Sequence, residues 1–550
     1  MPRSSAVTIR NLCSNLRPRA SVCRDNTAVG FDTAEQHRLP FDKLRTPLNH
    51  HSYGIIMQTK SVIVIGAGIG GIVAATRLAQ QGVKVTVIEK NSRAGGRCDR
   101  ISREGHHFDT GPTLLVMPLL YEAEFRALGA SMSERLDLQR VDPTYHLVFD
   151  DGSQLALTSD MKSMQEQLET FEAGSFRGFL RYMDEGHRHY HVGIQKLVNR
   201  DFRKATDFFS LENIPILYEL KPLVNHYANM AAYFKNPRLK AAFSFQDVYM
   251  GLSPFDAAAT FSLMPYSELA HGIYYPRGGM YSIVETLAAL AQEAGVEFIF
   301  DAAVEKIDVS AARARGVLLA DGQRLAADAV LANADLPYVY QDLLPDKDLA
   351  AALTRKRFSC SVISFFWGMD KTYETLGPHT LFLADDYREN FDSIIRDLDL
   401  PANPSLYVHA PARLDPAMSP PGEDTLIAVV PVGHMSANGE QDWAALRDKA
   451  RAHVFRRLAA LGIGDLEAHI KFETTFTPLS WHKRYNLMKG STHGLCHNLM
   501  QLGYLRPHNR HPRYANLYFA GASTHPGTGM PTAMISGRLS AQRILDDFQT

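Results

Sequence analysis

Apolar positions in this chain fall into short continuous runs and longer helical stretches, separated by glycine-rich corners. Ser61–Ile65 reads Ser-Val-Ile-Val-Ile, a β-branched run of the kind buried in a parallel sheet. A helix is predicted over about Gly70–Gln81, stopped by Gly82, followed by a second strand at Val83–Ile88. The same alternation returns later. A helix is predicted at Tyr281–Ala294 with a strand at Glu297–Phe300, then a strand at Asn516–Ala520 and a helix from Thr532 to about Asp546. Pro531 suits the first position of that last helix. Its small residues, Gly537 and Ala541 among them, predict tight packing on one side. Leu211–Phe234 is rich in Leu, Ile and Tyr but broken by Pro215 and Pro222. Periodicity alone reads it as a pair of core helices; a tunnel wall or a membrane-dipping element is the alternative.

At 550 residues the chain is long enough for two or three domains. Lys and Arg number 58 against 59 Asp and Glu, so no net field draws it to nucleic acid or anionic lipid. Five widely spaced cysteines without a CxxC pair argue against a zinc or disulfide framework. No uninterrupted apolar run reaches the length of a transmembrane helix, which leaves lying on a membrane as the way to touch one. Residues 1–57 carry arginines at 3, 10, 17, 19 and 24 before the first acid, Asp25. They are expected to be a disordered extension, with an organelle transit peptide as the alternative.

The first corner carries chemistry. Gly66, Gly68 and Gly71 fit G-x-G-x-x-G directly after a strand. The first allows the tight turn, the second the approach of a pyrophosphate, the third close helix packing. The helix start offers free N–H groups and a positive dipole end. Glu89, at the end of the second strand, is placed to accept from a ribose hydroxyl. This fingerprint alone leaves NAD and FAD open. Arg97, behind Gly95 and Gly96, can fold a planar fork of donors onto a diphosphate. Near the other end, Gly521-Ala-Ser-Thr-His-Pro-Gly-Thr-Gly529-Met530-Pro531 joins a strand to a helix and forms a second positive helix start.

The Gly-Gly-Arg segment followed by Phe108-Asp-Thr-Gly111-Pro112-Thr113 resembles the flavoprotein family of amine oxidases and carotenoid desaturases. The Gly521–Pro531 stretch resembles the C-terminal signature of the bacterial and fungal phytoene desaturases. Tyr275–Met280, Asp328–Asp335, Tyr407–Pro411 and Arg506-Pro507 also match that family, so the likeness runs from about residue 60 to 545. It implies FAD, held by Gly66, Gly68, Gly71, Glu89, Lys90, Gly96, Arg97, Gly111, Pro112, Thr113, Val304, Gly521, Gly529 and Met530.

The expected fold is α/β: a discontinuous Rossmann-type FAD-binding domain (58–140, 271–335 and 496–550) with an inserted mixed α+β substrate domain (141–270 and 336–495) and a helical membrane-facing part. The resemblance implies desaturation of an apolar C40 isoprenoid, with hydride passing to flavin and a proton leaving the next carbon. It further implies a peripheral position on the cytoplasmic side of a membrane and a quinone or oxygen as final acceptor. Catalytic residues are not assigned: the charged pair expected between Asn199 and Leu239 is missing, with Asp201, Arg203 and Asp207 the nearby candidates. His187, His189 and His191 alternate as ligands on a strand would, but lie in a helical region, so no metal site is expected. The rivals are a carotenoid isomerase, a desaturase or oxidase of another carotenoid, and a flavin-less prenyl-lipid escort protein.

Overall fold

The computed structural model describes residues 59–436 and 439–549; the expected N-terminal extension lies outside them. Five strands form an all-parallel sheet in the order Leu517–Phe519, Ala329–Ala332, Ser61–Ile65, Lys84–Ile88, Glu297–Ile299. Their sequences are almost wholly apolar because both sheet faces are covered. Val62 and Val64 pack toward helices Ile69–Ala79, Tyr281–Glu293 and Met530–Gln549, in one core with Ile72, Val284 and Met534. Ile63 and Ile65 pack on the other side with Val304, Ile307 and Val317, from a small antiparallel sheet over residues 304–326.

A second, seven-stranded sheet runs Ile470–Phe476, Ser361–Met369, Asp424–Val432, Leu406–His409, His379–Leu383, Tyr145–Phe149, Gln154–Leu157. It is antiparallel except where His379–Leu383 pairs with Tyr145–Phe149. Phe365, Phe366 and Trp367 on strand Ser361–Met369 are fully buried and serve as core. The pair Leu138–Val141 and Ile273–Pro276 bridges segments far apart in sequence.

Three expectations need correction. The last helix begins at Met530, ahead of Thr532, because a proline in the first turn has no N–H to lose. Leu211–Phe234 does not form a pair of core helices. It breaks into short pieces, Ile214–Leu220 and His226–Met230, and leaves Leu211, Tyr218 and Leu223 83%, 85% and 86% exposed. The two prolines limit helix length, and Lys221 ends the first piece in a left-handed conformation. Asp201, Arg203 and Asp207 do not reach the interior: Asp201 binds Arg543, Arg203 binds Asp546, and Asp207 caps Ala205–Phe208. The histidines sit on helix Ser175–Gly193, with His187 and His191 in ring contact and His189 buried against Ser262.

The first and last helices meet at glycine. A Cβ on Gly537 would lie 2.2 Å from the Gly70 carbonyl oxygen. Alanine normally favours a helix interior, so Gly537→Ala separates packing from propensity. It is expected to cost about 1–3 kcal/mol through overpacking, seen as a lower melting temperature. A raised one would contradict this close approach.

Candidate functional site

Strand Ser61–Ile65 delivers the chain into Gly66, whose φ of 95° turns it sharply and whose N–H donates to the Ile88 carbonyl at 2.7 Å. Gly68 then occupies the N-cap of the first helix without a side-chain cap, and it opens with Ile69 and Gly70 onto a cavity. The Asn333 carboxamide crowds this corner. A Cβ on Gly68 would sit 2.8 Å from Asn333 Nδ2, and one on Gly71 2.3 Å from the Gly66 carbonyl oxygen. Glu89 is buried; it accepts from the Ala67 N–H at 2.9 Å and from the Asn91 N–H and side-chain amide at 2.9 and 2.8 Å. It ties the glycine corner to the segment that follows the second strand, and it lines the cavity. Lys90 donates to Asn486 Oδ1 at 2.8 Å.

Behind the corner, Gly95 runs beside Gly68, and a Cβ on Gly111 would fall 2.0 Å from the Arg97 carbonyl oxygen. The Arg97 guanidinium donates to the Thr492 carbonyl at 2.7 Å. Burial lowers its pKa, and the nearby Asp335 carboxylate opposes the shift. Asp335 accepts from Ser523 Oγ at 2.6 Å and from the Met488 N–H at 3.0 Å, yet burial still raises it. His493 is held down to about 4 by burial and by Arg97. From the far end of the chain, Gly521 and Gly529 adopt φ of 118° and 110° and swing the last helix start toward the same space.

One cavity of about 590 Å³ unites these pieces. Gly66, Gly68, Glu89, Lys90, Gly96 and Arg97 line it, as do Gly111, Pro112, Thr113 and Val304, and so do Gly521, Gly529 and Met530. Gly71 does not: it serves the packing of the helix on its strand. Two helix starts, bare glycine backbone and a half-buried guanidinium suit a diphosphate-bearing dinucleotide. Beyond Thr113 the cavity continues into an apolar chamber that includes Phe245, Leu263, Leu381, Leu383 and Phe391. Thr113 marks the junction, with its hydroxyl 2.9 Å from Tyr407, which in turn lies 2.6 Å from His379 Nδ1.

The irregular stretch 481–493, read from sequence as substrate side, lines the cavity through Trp481, Tyr485, Asn486 and Thr492 and holds Arg97. Nothing in its composition marks it. Asn333 and Asp335, in contrast, belong to the family-like segment Asp328–Asp335, at and just past the end of a strand, and that position marks them.

A family model described as flavin containing amine oxidoreductase matches residues 69–545. Phytoene desaturase of Fusarium fujikuroi is 41% identical, spanning 89% of this chain and 90% of that protein. The zeta-carotene-forming phytoene desaturase of Myxococcus xanthus is 40% identical, over 89% of this chain and 94% of its own. Among solved structures, putrescine oxidase with putrescine bound aligns at TM-score 0.58 and 15% identity, covering 90% of this chain and 99% of that one; this likeness concerns fold alone. The match across most of the chain, with relatives at this identity, shows that the chain belongs to the flavin containing amine oxidoreductases and, within them, to the phytoene desaturase family.

Proposed function

We propose that the chain is an FAD-dependent desaturase that carries phytoene, a linear C40 precursor, toward lycopene-type products. The observation that carries this reading is the division of the cavity. Its carboxylates and basic side chains, Glu89, Lys90, Arg97 and Asp335, all lie at the nucleotide end, while the chamber beyond Thr113 is walled by apolar and aromatic groups. A hydrocarbon offers no polar handle, so recognition rests on burial at roughly 25 cal/mol per Å² before ordering costs. The printed activity of the relatives supports the same substrate class.

In this reading Gly66, Gly68 and Gly96 leave room for the diphosphate, which the first helix start and Arg97 hold. Glu89 accepts from the ribose, and Lys90 and Val304 flank the adenine side. Gly111, Pro112 and Thr113 face the flavin ring, with Gly521, Gly529 and Met530 presenting the second helix start to it. Bound there, FAD supplies a two-electron acceptor for a hydride from an allylic carbon. The chamber walls hold the chain straight and exclude water, which protects electron-deficient carbon. Turnover requires a further acceptor, a membrane quinone or oxygen.

Entry from a lipid surface has its own support. Phe209, Leu211, Ile214, Tyr218, Leu223 and Met500 are exposed. Phe209 lies in ring contact with Tyr504, which brings the segment beside the 499–505 loop. Upstream of this segment, Ile194 and Val198 line the cavity. No helix among the described residues is long and apolar enough to cross a membrane, so the patch would lie on the bilayer.

Anaerobic holoprotein mixed with phytoene in liposomes is expected to lose its flavin absorbance and give products lighter by two hydrogens per step. Unchanged flavin, or product of unchanged mass, would move the assignment to an isomerase; activity only on a C30 or hydroxylated carotenoid would move it to another substrate. A purified protein without FAD would return the escort reading. For the surface patch, Leu211→Glu and Leu223→Glu are each expected to weaken vesicle binding about tenfold. Their melting temperature should stay unchanged, since both side chains are already exposed. Equal binding of wild type and variants would remove the patch from membrane docking.

A further inference from the structure

Desaturation requires a group to take the proton that leaves beside the hydride, and the candidates named from sequence point away from the cavity. Several interior carboxylates among the described residues are held by fixed partners. Asp109 accepts from the Met280 and Tyr281 N–H groups at 2.8 and 3.0 Å and from Tyr275. Asp335 is fixed by Ser523 and Met488, Glu185 by Lys221 and Asn229, and Asp247 by His226. Each of these acids has a fixed partner, although Asp247 leaves Oδ1 without one. Glu268 differs: it is 1% exposed, one oxygen accepts from Gln246 Nε2 at 3.1 Å, the other has no hydrogen-bond partner, and the nearby Tyr249 hydroxyl opposes the rise that burial causes in its pKa.

Tyr249 lines the cavity, and its hydroxyl shares a hydrogen bond with that of Tyr145, another lining residue. The Tyr145 ring lies 6.2 Å from Tyr407, whose hydroxyl binds Thr113. The Tyr145–Tyr249 pair therefore sits at the junction between the nucleotide end and the apolar chamber. Glu268 stands behind it in a π-type turn, Ser267–His271.

We propose that the Tyr249 hydroxyl receives the proton leaving the substrate and passes its own to Glu268, so that Tyr249 is the catalytic residue and Glu268 the positioning residue that stores the proton. The inference rests on the desaturase reading. One C–H bond gives its hydride, two electrons and a proton, to FAD. The C–H bond on the adjacent carbon breaks, its electron pair becomes the new C=C bond, and its proton bonds to the Tyr249 oxygen. The former Tyr249 proton bonds to a Glu268 oxygen, which leaves the phenol neutral and the carboxyl protonated. That proton must depart before the next turn.

The electrostatics agree with this division of labour. Burial pushes Tyr249 well above its ordinary value, so a free phenolate is not available as base. Burial raises Glu268 to about 7, while Tyr249 and Gln246 oppose the shift. Tyr145 and Tyr182 also feel its charge, and the neighbouring Asp247 is occupied with His226. A general base works best with a pKa near the operating pH. The carboxylate form is the active one, so the rate should rise with pH and level off above about 7.

The test is anaerobic flavin reduction by phytoene in liposomes, followed across pH in holoprotein. The wild-type rate is expected to climb through about pH 7. Glu268→Gln and Tyr249→Phe should each slow it about 100-fold, and Glu268→Gln should flatten the pH profile. Flavin content and melting temperature confirm that the variants fold. Infrared spectroscopy gives a readout free of turnover: a buried carboxylic C=O band that titrates near pH 7 and is lost in Glu268→Gln. A Glu268→Gln enzyme that keeps the wild-type profile, or a band titrating in the ordinary carboxylate range, overturns the relay. If phytoene fails to bleach the wild type, the substrate reading fails, and the infrared titration alone then upholds or overturns Glu268 as the proton store.

Discussion

The Asn333 carboxamide, wedged among Gly66, Gly68, Gly70, Gly71 and Gly521, is the contact on which the rest of the nucleotide end depends. It sits at the end of strand Ala329–Ala332, between the strand that leads into the first corner and the one that leads into the last. Side chains on the surrounding glycines would compete with it for the same volume. The bare backbone that faces the cavity is thus the outer side of a tightly filled joint.

Buried charge is managed by dense hydrogen bonding. Arg506 is 1% exposed and donates to five backbone carbonyls, those of Leu495, Cys496, Gln501, Ala522 and Thr524. Burial still lowers its pKa to about 9. Because these acceptors lie on two separate loops, the guanidinium locks the approach to Gly529 against the 495–501 turn. The Arg506 charge is thus carried in the interior by carbonyl dipoles.

Much of the nucleotide end was legible because its chemistry needs particular residues at particular offsets: glycines where a backbone must approach, Glu89 at a strand end, Arg97 behind two glycines. Legibility fails where function is delivered by backbone carbonyls or by contacts between distant segments. Thr492 holds Arg97 through its carbonyl, which any residue could offer. Tyr249 and Glu268 lie in short turns whose sequence resembles ordinary core, and only folding sets them beside Tyr145. Leu211–Phe234 misleads in the opposite sense: its composition is that of an interior, while its prolines break it into pieces too short to bury every apolar face.

The order of strands has a temporal meaning. The parallel sheet is completed on one edge by Leu517–Phe519, and the second wall of the cavity is the helix that follows. Synthesis proceeds from the N-terminus at roughly 5–20 residues per second, so the first glycine corner emerges long before its counterpart exists. The cavity thus stays open until the segment around Met530 has been made, and a product cut short before it would leave half a cradle with nothing to close it.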